Sequence, residues 1–240
     1  MEALSANDVL VAWEMGLHAG PVQRGLQLLC LRFPERSAGQ LAQLPIGQRD
    51  AELINLRLAL FGTQMQGKLG CPNCGELLEL NLDGSELRRL GPANNDIVFE
   101  AAGHSVRLRL PNSIDVAEAA LQPDLEAGRR KLLERCTVSV SQGGDAVSEL
   151  PPELAEAAVM RLAEADPQAD LKVRVSCAVC GHGWEAVFDI VSFLWNEIEA
   201  WAVRLLREVH TLASAYGWPE RDILAMSAAR RQMYLEMVRG

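Results

Sequence analysis

The chain has 240 residues, a formal net charge of −9 and an apolar fraction of 49%, which suits one large domain or two small ones. The acidic balance disfavours a nucleic-acid-binding protein, because contacts to phosphates require clustered lysine and arginine side chains. No basic segment leads into an apolar run at the start, and no apolar stretch reaches about 18 residues. The sequence therefore predicts neither a signal peptide nor a membrane span, and we expect a cytoplasmic globular protein.

The first region, residues 1–70, is predicted to be helical. Apolar residues spaced three and four apart indicate a helix over 5–17, and Gly20-Pro21 ends that run. A second short helix follows, and the stretch 33–43 is predicted to be mainly loop. The strongest helical pattern begins at Pro45 and stops at Gly62, since glycine suits the position just after a helix.

Two short cysteine turns carry the most specific chemical signal. They are Cys71-Pro72-Asn73-Cys74-Gly75 and Cys177-Ala178-Val179-Cys180-Gly181. Two residues between cysteines let both sulfurs face one ion, and the following glycine permits the positive φ of the turn. Four thiolates are the ligand set of a tetrahedral structural zinc site, so we expect Zn²⁺ on Cys71, Cys74, Cys177 and Cys180.

The spacing of the two turns is unusual for a zinc ribbon. About 100 residues separate Cys74 from Cys177, whereas an ordinary ribbon closes over roughly 15–20. Either the ribbon carries a large insertion, or the two turns are separate. Both turns lie next to predicted strands, at 77–82, 171–176 and 184–188, which disfavours a thioredoxin-like redox pair at a helix N-terminus.

A closed site with four sulfur ligands has no open position for water, which argues against zinc catalysis. His182 lies two residues after Cys180, and we expect it beside the ligands or at the surface rather than bound to the ion. The sequence contains no G-x-S-x-G, P-loop, G-x-G-x-x-G or H-E-x-x-H pattern. We therefore predict no catalytic and no cofactor-binding residues apart from the metal ligands, and no enzyme.

The ribbon and its insertion fix the expected fold class. Residues 71–82 and 170–189 form the split zinc-ribbon element, and residues 83–169 form the insertion, with a β-hairpin near 97–110. Helices are predicted over 115–121, 123–135 and 151–165. The expected class is α+β, mainly helical, with a central zinc-ribbon-like β element (four cysteines) that carries a long α/β insertion.

The last region, residues 190–240, is predicted to be a helical arm. Its apolar residues repeat at three and four from Ile190 to Tyr216, a length of roughly 40 Å at the helical rise of about 1.5 Å per residue. Its aromatic content suggests a core together with a partner surface, although core packing alone would explain it equally well. The candidate partner-binding residues are Trp195, Trp201, Trp218, Arg230 and Arg231.

Several strings in the chain carry a resemblance to a known family. The segment Leu44-Pro45-Ile46-Gly47-Gln48-Arg49-Asp50, followed by Leu56-Arg57, Phe61-Gly62 and the first cysteine turn, resembles a baseplate protein family of contractile-tailed phages. Gln48 departs from the pattern, where aspartate is usual.

The C-terminal strings 188–190, 193–198, 208–213 and 216–218 resemble proteins encoded with phage-tail-like contractile injection systems. The two resemblances together cover the regions 44–82 and 171–238, and the insertion matches only loosely. They imply structural or assembly work at a baseplate or tail hub, with other baseplate and tail proteins as partners, and a place inside an assembled particle. They supply no catalytic residues.

Three functions compete at this level. The first is a structural or assembly component of a contractile tail machine, as the resemblance implies. The second is a zinc-ribbon regulator that contacts nucleic acid or the transcription machinery, which only the ribbon supports and the net charge opposes. The third is a metal-dependent or thiol enzyme, which would need reactive cysteines of low pKa.

Overall fold

The computed structural model describes residues 4–88 and 94–239. The helices are α1 (Ala6–Gly16), α2 (Pro21–Arg32), α3 (Ala38–Ala42), α4 (Ile46–Phe61), α5 (Ser113–Ala120), α6 (Leu125–Cys136), α7 (Ala155–Ala165), α8 (Ile190–Tyr216), α9 (Glu220–Leu224) and α10 (Ala228–Arg239). The strands are β1 (Gln64–Gly70), β2 (Leu77–Asp83), β3 (Ile97–Ala101), β4 (His104–Leu108), β5 (Thr137–Gln142), β6 (Asp145–Val147), β7 (Lys172–Ser176) and β8 (Gly183–Val187). Helices and strands occur in mixed order, so the predicted α+β class is confirmed at that level.

The chain divides into two compact units, Met1–Pro34 with Val191–Gly240, and Glu35–Ile190. None of the helices in the described ranges combines the length and the apolar character that a membrane span needs. The predicted division into four regions is not tested by these units and stays a prediction.

The regular secondary structure among the described residues of the first unit is helical. Ser5 caps α1 in a capping box with Asp8, in which each side chain accepts a hydrogen bond from the other residue's backbone N–H. Leu10 of α1 packs with Ala202 and Leu205 of α8 in one buried cluster. A second cluster joins the last turns of α8 to α9 and α10; its buried members are Val209, Leu212, Ile223 and Leu235.

The second unit contains an antiparallel sheet in the order β3-β4-β5-β6. Tight turns close its two outer hairpins, at Ala102-Gly103 and at Gly143-Gly144, and all four of these residues have positive φ. One face of the sheet packs against α7 and the turn before it, where Ile97, Phe99 and Val106 meet Leu154 and Ala158 in a buried cluster. This sheet therefore has a hydrophobic core of its own within the insertion.

Two further antiparallel hairpins in the same unit carry the cysteine turns. β1 pairs with β2 from Gln64–Asp83 to Gly70–Leu77. β7 pairs with β8 from Lys172–Val187 to Ser176–Gly183. Each cysteine turn thus connects the two strands of one hairpin.

Four elements differ from the sequence-based expectation. Residues 64–70 form β1, although the region up to residue 70 was predicted to be helical; this strand has two glycines and little alternation, and its pairing with β2 decides its structure. β5 and β6 were not predicted, because two short strands around a double glycine give a weak periodic signal. α3 lies in the predicted loop 33–43 and is stabilised by a capping box between Ser37 and Gln40.

Candidate metal centre

The four predicted cysteine ligands come together in space. The Sγ atoms of Cys71, Cys74, Cys177 and Cys180 all lie within 4.8 Å of one another. The distance is 3.7 Å between the sulfurs of Cys71 and Cys180 and also 3.7 Å between those of Cys74 and Cys177. Sulfurs held at about 2.3 Å from one tetrahedral zinc ion would stand at similar separations from each other. The two distant turns therefore form one site, which answers the question that their spacing raised.

Both cysteine turns have the same backbone structure. The amide of Cys71 donates to the carbonyl of Glu76 at 2.8 Å, and the amide of Cys177 donates to the carbonyl of His182 at 2.9 Å. In each turn the glycine amide donates back to the carbonyl of the first cysteine at 2.9 Å. These glycines, Gly75 and Gly181, have φ values of 76° and 70°, which side chains with a Cβ rarely adopt.

The four sulfurs form an inner and an outer pair. Cys71 and Cys177 are buried, whereas Cys74 and Cys180 are exposed. His182 is exposed and its ring stacks on Trp184 at a centroid distance of 5.7 Å. His182 does not belong to the group of four sulfurs.

The pKa values of the two exposed thiols, Cys74 and Cys180, shift in opposite directions. The side chain of Asn73 and the backbone amide of His182 lower the pKa of Cys180 to about 6. The amide of Glu76 acts in the same direction on Cys74, but partial desolvation and hydrogen bonds with the other three sulfurs raise the pKa of Cys74 to about 12. The thiolate, rather than the thiol, is the form of cysteine that binds a metal ion.

Arg57 holds together the backbone segment that leads into the first cysteine turn. Its side chain is 2% exposed and donates to the carbonyls of Gly62 at 2.6 Å and Gln64 at 2.7 Å. These carbonyls mark the end of α4 and the start of β1, which leads directly to Cys71. A planar guanidinium can donate to both at once, which a lysine could not do in the same geometry.

Asp166 links the two arms of the site. Its carboxylate accepts a hydrogen bond from the amide of Gly47 at the start of α4, at 2.9 Å, and from the amides of Gln168 and Ala169. α4 leads toward the first cysteine turn, whereas residues 168 and 169 lead into β7 and the second turn. Sequence reasoning missed Asp166, since nothing local distinguishes it from the other acidic residues.

The five predicted partner-binding residues occupy different environments in the helical unit. Trp195 is 2% exposed, with the guanidinium of Arg24 at 4.4 Å from its ring centroid. Arg231 is 5% exposed; it donates to Glu208 at 3.0 Å and to the carbonyl of Met226 at 2.7 Å. Both side chains therefore have structural contacts within the unit, and their role in partner binding stays a prediction.

The remaining three lie nearer the surface. Trp201 and Trp218 are half-buried, and Arg230 is exposed. Trp218 and Arg230 both contact Tyr234, at centroid distances of 4.9 Å for the indole and 5.8 Å for the guanidinium carbon. Tyr216 stacks on Trp218 at a centroid distance of 4.4 Å, so Tyr216, Trp218 and Tyr234 form one aromatic cluster.

A family model described as "T4 bacteriophage base plate protein" matches residues 34–195, about two thirds of the chain. The matched range contains the four clustered cysteines together with Gly47, Arg57 and Asp166. No curated protein and no solved structure gives a significant match.

Proposed function

The chain belongs to the family of T4 bacteriophage base plate proteins, and from this membership we propose a structural or assembly component of a contractile, phage-tail-like baseplate without catalytic turnover. The observation that carries the proposal is the span of the family match, which includes both cysteine turns and the residues that join them. A protein of this kind would act by binding other subunits. Its metal site would stabilise the fold and would not catalyse a reaction.

The proposal includes one structural Zn²⁺ in a split, zinc-ribbon-like site. Cys71, Cys74, Cys177 and Cys180 would supply four thiolates, a donor set that suits zinc and leaves no position for water or substrate. The ion would join two hairpins that belong to distant parts of the sequence. Its contribution would therefore be to the folding of the unit that contains residues 35–190.

We place the binding of other baseplate or tail subunits on the helical unit. Trp218, Arg230 and the half-buried Trp201 offer apolar area and one exposed guanidinium, residue types that are enriched in protein interfaces. The buried Trp195 and Arg231 would support this surface through the helices that carry it. The protein would fold in the cytoplasm and act there or within the assembled particle.

Co-expression with the tail genes encoded beside this gene tests the assembly role. The tagged chain should co-purify with a baseplate, tube or spike subunit and elute with it from a size-exclusion column. A chain that stays monomeric in the presence of all of them would overturn the proposal. A salt-dependent shift of DNA or RNA would instead favour a nucleic-acid-binding regulator.

Metal analysis tests the zinc site separately. The purified chain should contain about one zinc ion, which Cys71→Ser and Cys177→Ser should remove together with much of the stability. Full metal content in both variants would overturn the shared site.

A further inference from the structure

β3 is an edge strand whose pairing partner among the described strands is β4. The hairpin turn Ala102-Gly103 has two residues with positive φ, so the closing pair Ala101–His104 exchanges both backbone hydrogen bonds. Hydrogen-bonded pairs alternate with non-hydrogen-bonded pairs along an antiparallel ladder. Phe99 and Ile97, which lie two and four residues before Ala101, therefore also form hydrogen-bonded pairs with β4. The N–H and C=O groups of Val98 and Glu100 consequently point away from β4, toward the free edge.

A groove runs along this edge. It has a volume of about 440 Å³ and lies between β3 and α7, with Ile97, Val98, Phe99, Glu100, Arg161 and Glu164 among its lining residues. Ile97 and Phe99 are buried and belong to the core of the sheet, while Val98 is 61% exposed. A groove between an edge strand and a helix accommodates an extended peptide that adds one strand to the sheet.

The two edges of the sheet differ in how they are protected. β6 at the opposite edge has three residues and starts directly after the Gly143-Gly144 turn. β3 has five residues and contains neither proline nor lysine, which are common protections of an exposed edge. The β3 edge is thus the better template for an added strand.

Charge favours a basic partner segment over a second copy of the chain. Glu164 pairs with Arg161 at 2.9 Å, whereas Glu100 has no ion pair among the described residues. Two β3 edges paired with each other would bring two copies of Glu100 close together, in a chain that already carries a net charge of −9. A strand with lysine or arginine opposite Glu100 would have a complementary charge.

We propose that the β3–α7 groove binds an extended segment of a partner protein, with alternating apolar side chains and at least one basic residue, as an added β-strand. The backbone of Val98 and Glu100 supplies the hydrogen bonds, and Ile97, Phe99 and Ala165 of α7 supply the apolar contact. That the partner is a baseplate or tail subunit rests on the proposed function; the strand addition itself does not.

The first test uses a synthetic probe, an acetylated seven-residue peptide of alternating lysine and valine. It should slow hydrogen exchange at the amides of Val98 and Glu100 by about tenfold or more. A block peptide of the same composition and an alternating glutamate–valine peptide are the controls, and both should bind more weakly. Protection at the β6 edge instead, equal binding of all three peptides, or dimerisation of the free chain through β3 would overturn the proposal.

Proline substitutions provide the matched variants. Val98→Pro removes the outward N–H from an edge position that tolerates proline, and it should weaken peptide binding by about tenfold or more. Val98→Thr retains the N–H, and Ala146→Pro removes the equivalent outward N–H at the β6 edge. Both should bind as the unmodified chain does, and circular dichroism should show that all three variants are folded.

Co-purification then separates this inference from the proposed function. Loss of a tail subunit in Val98→Pro, with retention in Ala146→Pro, would support both. If the unmodified chain and Val98→Pro retain that subunit equally, the groove is not the binding site of that subunit; the assembly role then stands, and the peptide experiment decides on strand addition. If no tail subunit binds the unmodified chain, the assembly role fails, and the peptide experiment alone decides on the groove.

Discussion

The backbone amide of Gly47 donates a hydrogen bond of 2.9 Å to the carboxylate of Asp166, a residue 119 positions further along the chain. Gly47 lies in the first turn of α4, where Pro45 provides no side-chain cap. Asp166 therefore caps the N-terminus of α4 from a distant part of the sequence, in place of the local serine or aspartate that caps many helices. Burial raises the pKa of Asp166, although the amides of Gly47, Ala169 and Gln168 act in the opposite direction.

This relationship predicts a strong coupling between the two residues. A Cβ atom added at Gly47 would stand 1.8 Å from Asp166 Oδ1, so Gly47→Ala must displace the carboxylate and should destabilise the protein. Asp166→Ala loses the cap, at a cost of about 1 kcal/mol in the free energy of unfolding. The double variant should cost clearly less than the sum of the two, because the alanine at position 166 makes room for the new methyl group. Urea denaturation of the four proteins measures the cycle.

Gly39→Ala serves as the control for the change of glycine to alanine in a helix. A Cβ at Gly39 would meet nothing closer than Ser37 Oγ at 4.0 Å. This variant should be neutral or more stable by about 0.5–1 kcal/mol. If the losses in the free energy of unfolding for Gly47→Ala and Asp166→Ala simply add in the double variant, the predicted coupling between the two residues is wrong.

A second prediction concerns the pH dependence of stability through Asp115. Its side chain is fully buried; burial alone would raise its pKa, but hydrogen bonds from Arg109, the amide of Asn112 and Arg135 hold that pKa below its ordinary value. A carboxyl whose pKa is lowered by folding stabilises above its unfolded pKa of about 3.9, and the contribution is lost as the pH falls through the folded value. Asp115→Asn should cost about 3 kcal/mol at pH 7, at the low end for a broken buried pair because the two arginines remain partly exposed.

The measurement is chemical denaturation of both proteins between pH 7 and pH 3. The difference in the free energy of unfolding should be constant near neutrality and shrink below about pH 4. Asp96→Asn is the matched control, since Asp96 also pairs with an arginine, Arg107, but at the surface. Its effect should be much smaller at every pH. A difference for Asp115→Asn that is unchanged at pH 3 would contradict the argument.

The parts of the molecule that were predictable from the sequence are those with local signals. The cysteine turns need only a fixed spacing and a glycine, and α4 and α8 have long periodic patterns, so the cluster of four cysteines and these helices were expected where they occur. The family resemblance of residues 44–82 is confirmed by the match over residues 34–195. Arg57 and Asp166 were not expected to position the site, because their partners become neighbours only in the fold. β1 and β5 were missed for the same reason, since each depends on the strand that pairs with it.

A third prediction concerns metal removal. The two hairpins that carry the cysteines bury few side chains; Leu77 and Val187 are 59% and 73% exposed. The sheet β3–β6 has its own core and does not include a cysteine turn. Chelation should therefore speed hydrogen exchange in β1, β2, β7 and β8 by about tenfold or more, with a much smaller effect in β3–β6.

Cys30→Ser provides the control for this experiment, because Cys30 lies in α2, in the other compact unit. It should leave the metal content and the exchange pattern of the hairpins unchanged. Equal acceleration of exchange in the hairpins and in the sheet would mean that the metal stabilises the whole unit as one cooperative structure.

The last prediction separates the two neighbouring arginines of α10. Arg231 is buried and pairs with Glu208, so Arg231→Ala leaves a carboxylate and a carbonyl without their donor and should cost about 2 kcal/mol of stability. Arg230 is exposed, with its guanidinium over Tyr234, and Arg230→Ala should change stability by no more than about 0.5 kcal/mol.

If the proposed partner surface is right, Arg230→Ala should nevertheless weaken co-purification with the tail subunit. Arg230→Lys should restore co-purification only in part, because lysine lacks the planar group that stacks on tyrosine. Thermal denaturation and co-purification of the three variants, measured on the same preparations, distinguish a binding residue from a structural one; full retention of the subunit by Arg230→Ala would remove Arg230 from that surface.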